Sequence, residues 1–290
     1  MKKISLLAVP ALALITPAMA MPPPLPPVEG KDAATLQTEM TEGRVNSDVI
    51  TATYLDRIRN LDDHGPQLNA VIATFPDATS QAHTLDLERQ AGRVRGPLHG
   101  IPILLKDNIE AKGPIATTAG SLALKDNVTD RDAPLVARLR EAGAVILGKT
   151  NLSEWANIRS NNSTSGWSAV GGLAKNPHAL DRNTCGSSAG SGAATAASLA
   201  PIAIGTETDG SITCPAGVNG IVGFKPTVGL VSRTHIVPIS HSQDTAGPMT
   251  LTVRDAALVM TVIAGSDPAD PATIEADARK TDYAAELSVA

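Results

Sequence analysis

Aromatic side chains are scarce in this 290-residue sequence, which carries two Trp, two Tyr and two Phe. So few ring faces leave little from which to build the stacking platforms that hold single-stranded nucleic acid. No long basic run supplies the electrostatic footprint either, so nucleic acid is not an expected partner. Charge is also close to balanced, with 24 Lys and Arg against 29 Asp and Glu. The six histidines are scattered without metal-ligand spacing, so neither a metal nor another cofactor is expected. Cysteine appears only at Cys185 and Cys214. An oxidising compartment permits a disulfide between them, and two small buried residues account for the pair equally well. What the chain does have is 42% hydrophobic residues, enough for a globular core.

Long apolar runs are missing apart from one at the start. MKKISLLAVPALALITPAMA opens with Lys2 and Lys3, stays apolar from Ile4 to Ile15 and ends in Ala18-Met19-Ala20. This is the pattern of a secretory signal peptide with an A-x-A cleavage site, too short for a comfortable membrane span. The expectation is a leader over residues 1–20, a proline-rich extended lead-in over 21–30, and one domain over 31–290. The mature protein is then periplasmic or secreted, with no membrane contact after cleavage.

Downstream, helical and strand patterns alternate. Ile50, Tyr54, Ile58 and Leu61 recur at helical spacing behind Ser47 as N-cap. LNAVIAT (68–74) reads as a buried strand and residues 77–92 as a helix. IPILL (101–105) is a second strand, followed by a helix over 133–142 and a strand AVIL (144–147). A helix over 188–199, the strand PIAI (201–204) and a helix over 254–264 complete the series. Continuously apolar strands between helices imply an α/β fold with a central mixed, largely parallel sheet covered on both faces. Ser, Asn and Gly dominate residues 160–172 and recur to Gly229, a texture typical of functional loops.

Two short motifs are decoys. GAVILGKT (143–150) fits the P-loop pattern, but its intervening AVIL is itself the strand and a helix precedes Gly143. A phosphate cradle needs the opposite arrangement, strand before and helix after. Gly186-Ser187-Ser188-Ala189-Gly190 fits a nucleophile elbow centred on Ser188, with Asp244 and His235 or His241 available as partners. The elbow requires a buried strand directly before the serine, and KNPHALDRNT offers none.

A third arrangement is dispersed. Lys106 ends a buried strand, an expensive place for an ammonium unless the strand end opens on a cleft. Ser211 follows the PIAI strand in the glycine-containing stretch GTETDGSITCP, where a hydroxyl can sit beside consecutive backbone N–H groups. A surface-paired lysine and ordinary turn serines remain the alternative.

GPLHGIPILLKDNI (96–109), AGAVILGKTNLSEWA (142–156), CGSSAGSGAA (185–194), GTETDGSITCPAGVNGIVGFKPTVGLVSR (205–233) and SQDTAGPM (242–249) together resemble the amidase signature family, and most closely its bacterial peptide amidases. The resemblance runs in order from about Val28 to Ala264. It implies the amidase signature fold and a Ser-cis-Ser-Lys triad: Ser211 as nucleophile, Ser187 as relay, Lys106 as base. It also implies an oxyanion hole of backbone N–H groups at Thr208, Asp209, Gly210 and Ser211, with Ser188 a hydrogen-bonding neighbour. Asp107 and Asp244 read as scaffold. The implied partner is a small-molecule or short-peptide amide, hydrolysed to carboxylate and ammonia. Family members otherwise act on acylamides or small amides, or supply ammonia for tRNA-dependent transamidation, which requires cytosolic partners and conflicts with an exported chain.

Two departures stand out. Asp209-Gly210 occupies the place where much of the family has two glycines, and family members are considerably longer. The expectation is therefore a chain truncated at the C-terminus, with an inactive binding domain as the alternative to an amidase.

Overall fold

A computed structural model describes residues 25–285 and Leu287. The leader over 1–20 and the start of the lead-in fall outside the described residues. Among the described residues, no helix is long and apolar enough to cross a membrane.

The centre is a six-stranded mixed sheet. Its strands are β1 (Val71–Thr74), β2 (Pro102–Lys106), β3 (Val145–Thr150), β4 (Ile202–Glu207), β5 (Val222–Gly223) and β6 (Thr245–Thr250), in spatial order β1-β3-β2-β4-β6-β5. Parallel pairing is confined to the middle, where β2 lies between β3 and β4. The flanking pairs β1/β3, β4/β6 and β5/β6 are antiparallel. Every residue of β2, β3, β4 and β6 is buried, so both faces of the sheet are covered, as continuously apolar strands require.

The helices are α1 (Ala33–Thr41), α2 (Ser47–Arg57), α3 (Ala78–Gln90), α4 (Pro134–Glu141), α5 (Ala189–Ala196), α6 (Thr213–Asn219), α7 (Val253–Ile263) and α8 (Ala276–Arg279). Helix α5 is made of small residues, AGSGAATA, and its positions 189–195 are all buried. That composition allows a close approach to the sheet. A Cβ on Gly190 would collide with the Asn151 backbone just beyond β3, 2.5 Å from its nitrogen. The second glycine of the apparent elbow is thus a packing glycine.

The first long helix starts one residue earlier than expected. Asn46, not Ser47, is the N-cap, its side chain accepting from Val49 N at 2.8 Å. The Asp86 carboxylate of α3 takes the Ser47 and Asp48 N–H groups, and the Ser47 hydroxyl instead donates to Gly100 O. Past Arg57 the helix widens into a π-helical turn, Ile58–Asp63. Strand β6 is not announced by its residues, because Gly247 and Pro248 interrupt it; Pro248 is accommodated opposite Ile204 of β4. The Ser/Asn/Gly-rich stretch forms two small ribbons, 167–168 with 172–173 and 175–176 with 179–183.

Candidate active site

Four segments converge beyond the carboxyl ends of the parallel strands. Strand β2 ends in Lys106, whose side chain is fully buried. Its Nζ lies 2.7 Å from Ser187 Oγ, 2.8 Å from Thr206 Oγ1 and 3.2 Å from Thr206 O. Three acceptors match the three N–H donors of an ammonium, but all three are neutral. No carboxylate sits within ion-pair distance of Lys106 among the described residues. Burial therefore dominates and pushes the Lys106 amine down to about 7, against the weaker opposing pull of Glu207 and Asp244. An amine in that range is available as a base near neutral pH.

Ser187 follows a cis peptide bond after Gly186 and is buried. Its carbonyl accepts from Ser153 N at 3.0 Å. The next residue, Ser188, is fully buried; its Oγ donates to Thr206 O at 3.0 Å and accepts from Thr206 N at 3.2 Å. Both capacities are thereby used on β4, so Ser188 ties the loop to the strand and is no exposed elbow nucleophile. The Ser188 N–H reaches Ser211 O at 3.1 Å, bringing the relay segment against the backbone of the expected nucleophile. The Ser187 and Ser211 side chains make no direct hydrogen bond with one another among the described residues.

Ser211 is buried in the turn between β4 and α6. Gly210 sets that turn with φ +77°, a left-handed conformation that suits glycine. The Glu207 carboxylate closes it from below, accepting from Ile212 N at 2.7 Å and Thr213 N at 2.8 Å. Within the turn, the N–H groups of Thr208, Asp209, Gly210 and Ser211 donate to no acceptor among the described residues. Four free donors around one serine are what a developing oxyanion needs. Thr208 is anchored through its Oγ1, which donates to Asp244 Oδ1 at 2.5 Å. Asp244 is in turn held by Ile239 N and Ser240 N, the scaffold role expected of it.

A cavity of about 230 Å³ opens beside this end of the sheet, lined by Asn108, Thr206, Thr208, Arg233, Asp244 and Asp270 among others. Lys106, Ser187 and Ser211 are not part of its lining. Arg233 is engaged by Asp270 through two nitrogens, at 2.9 and 2.7 Å.

Some participants were not visible in the sequence. Thr206 receives both Lys106 and the Asn108 amide (3.0 Å) on one hydroxyl. Its signal was weak, a threonine two residues beyond the apolar PIAI run. Cys185 and Cys214, left open by sequence, form a disulfide with Cα atoms 5.9 Å apart. The apparent P-loop is accounted for differently: Gly148, Lys149 and Thr150 continue β3, and Lys149 is buried in an ion pair with Asp107 at 3.1 Å.

The Amidase family model matches residues 49–288. An Arabidopsis thaliana protein described as a probable amidase is 49% identical over 240 residues, 82% of this chain and 46% of that one. The crystal structure of the native peptide amidase from Stenotrophomonas maltophilia superposes with a TM-score of 0.87 at 61% identity, covering 89% of this chain and 53% of that one. A peptide amidase in complex with the competitive inhibitor chymostatin gives 0.85 at 62% identity over 88% and 52%. The chain thus spans about half the length of the relatives it matches. With 240 of its residues matched by the family model, and with these identities, the chain belongs to the amidase signature family.

Proposed function

We propose that this chain carries the acyl-transfer machinery of a hydrolase of linear carboxamides, acting on C-terminal peptide amides and releasing ammonia. The observation that carries the reading is the fully buried Lys106, 2.7 Å from Ser187 Oγ with only neutral groups around its amine. A lysine packed this way has lost its preference for the charged state, which is the condition for general-base work.

Neutral Lys106 takes the Ser187 hydroxyl proton as Ser187 takes that of Ser211, and Ser211 Oγ bonds to the amide carbonyl carbon. The carbonyl oxygen gains the electron pair and is received by the free N–H groups of the 208–211 turn. Collapse breaks the C–N bond, and the proton returns through Ser187 to the departing nitrogen, which leaves as ammonia. Water then repeats the sequence on the acyl-enzyme and releases the carboxylate. The Ser187 and Ser211 hydroxyls must approach one another to pass the proton, and such contacts tighten when substrate is bound. The names of the peptide amidase relatives support the substrate class, and the peptide-like inhibitor in one of them fits it. The leader pattern supports export to the periplasm or beyond.

The test is covalent. Reaction with a serine-directed sulfonyl fluoride followed by peptide mapping is expected to place a single adduct on Ser211, lost in Lys106→Ala. Ammonia release from an N-acylated dipeptide amide should accompany it. An adduct on Ser188, or saturable peptide binding without turnover or adduct, would overturn the reading.

A further inference from the structure

The Cys185–Cys214 disulfide brackets the two serines. Cys185 lies two residues before Ser187, and Cys214 lies three residues after Ser211 in the first turn of α6. The bond therefore joins the loop of the expected relay directly to the helix that follows the expected nucleophile. Other ties between these segments are single hydrogen bonds, Ser188 N to Ser211 O at 3.1 Å and Asn219 Nδ2 to Thr184 O at 3.1 Å.

Cys185 also has φ +56°, in the left-handed region that a residue with a Cβ occupies only when its surroundings hold it there. Its N–H bonds to Asn183 Oδ1, and its sulfur is tied to α6. If the sulfur is released, the relaxation of that backbone falls on Gly186 and Ser187, the next two residues. The rest of the segment is secured independently, because α5 and β4 are buried in the core. Cys214 is exposed and Cys185 half-buried, so the bond is open to attack from solvent.

We propose that the Cys185–Cys214 disulfide is a positioning element that sets the relay serine against the nucleophile, placing amide turnover under thiol–disulfide control with the oxidised chain as the active form. The inference rests on the amidase reading above. Switching down requires a dithiol. Its thiolate attacks Cys214 Sγ, the Sγ–Sγ bond breaks, and Cys185 leaves as a thiolate that takes up a proton. The second thiol then displaces Cys214 and closes the reductant's own disulfide, so two electrons pass from the dithiol to the protein. This logic suits an exported chain, in which the site is completed only where disulfides persist.

The experiment compares the 290-residue chain oxidised, reduced with dithiothreitol, and reoxidised with oxidised glutathione. Readouts are thiol titration, far-UV circular dichroism, labelling of Ser211 by a sulfonyl fluoride, and kcat and KM on an N-acylated dipeptide amide. Reduction should expose two thiols and lower kcat and the labelling rate by about ten- to hundred-fold, the range expected of a misplaced relay. KM should stay within about two-fold, since neither cysteine lines the neighbouring cavity. Reoxidation should restore activity. The double variant Cys185→Ser/Cys214→Ser should match the reduced chain and be indifferent to glutathione. Equal kcat in the oxidised and reduced forms overturns the inference while leaving the amidase reading intact. Loss of activity together with loss of the circular dichroism signal also overturns it, because the bond then serves the fold alone. Absence of turnover and of any Ser211 adduct in the oxidised chain sinks the amidase reading first.

Discussion

Two lysines, Lys106 and Lys149, are buried at the ends of neighbouring parallel strands, with Leu105 of β2 in register with Lys149 of β3. Burial pushes both amines below the ordinary lysine range. Their neighbours then separate them. Lys149 has a carboxylate, Asp107, at 3.1 Å, with Ile109 O at 2.6 Å and Thr117 Oγ1 at 2.9 Å completing its shell. The Asp107 carboxylate opposes the effect of burial on Lys149, and the pair braces β3 against the turn after β2. Lys106 has hydroxyls and a carbonyl where Lys149 has a carboxylate. An isolated buried ammonium relieves its cost by giving up a proton, and a scaffold lysine has no such need.

The largest expected effect separates the two by activity. Ser211→Ala should abolish both the sulfonyl fluoride adduct and ammonia release, and Lys106→Met should lower turnover by about two to four orders of magnitude. The comparison would break if Lys106→Met retained more than a tenth of wild-type kcat.

Stability should rank the lysines in the opposite order. Lys149→Met leaves the buried Asp107 carboxyl without its partner, a loss of about 3–5 kcal/mol that urea unfolding would detect. Lys106→Met removes a group whose charged form is disfavoured in the fold, so at pH 7 the change should be neutral to stabilising. Equal destabilisation would mean that Lys106 is ion-paired in solution.

The pH dependence sharpens the distinction. Lys106 is lowered from 10.5 to about 7 in the folded chain. Between these values the unfolded chain holds a proton that the folded chain has released, so stability should rise with pH across about 7 to 10.5. Below about 7 both states are protonated and the slope disappears. The same titration sets the base, so kcat/KM should climb as pH passes through about 7. Lys106→Met should flatten the stability slope, and an unchanged slope would assign it to another group.

How much of this was legible in the sequence follows from where each signal is stored. Strands β2 to β4 begin with apolar runs that the sequence makes plain, but β3 and β4 continue through Gly148–Thr150 and Gly205–Glu207, beyond the runs AVIL and PIAI. Lys106 stood out because a lysine at the end of PILL violates the pattern. Lys149 did not, because GAVILGKT imitates a phosphate loop, and only pairing with Asp107 across the sheet reveals its role. Strand β6 was missed because Gly247 and Pro248 carry poor strand propensity, and its place is fixed by pairing with β4. Thr206 and Glu207 were obscure, and the disulfide stayed one of two open readings, for a related reason. Each acts through a partner elsewhere in the chain or across a turn, and a local pattern records no such contact.

The smallest effect probes the difference most directly. Thr206 Oγ1 accepts from Lys106 Nζ and from Asn108 Nδ2, so it stabilises the ammonium while an amide competes for the same oxygen. Thr206→Val keeps the shape of the side chain and deletes that acceptor. The protonated form of Lys106 then loses one of three partners while the neutral form loses less, so the apparent pKa governing kcat/KM should fall by about one unit, equivalent to about 1.4 kcal/mol. The plateau rate at high pH should change by no more than a few-fold, since the substitution leaves the Lys106–Ser187 contact in place. A pKa that stayed in place would assign control of the Lys106 proton to burial alone, and the polar shell would then matter for orientation only. A fall of the expected size would show that Lys106 and Lys149 lie on one continuum, set by how many acceptors, and of what charge, each strand end supplies.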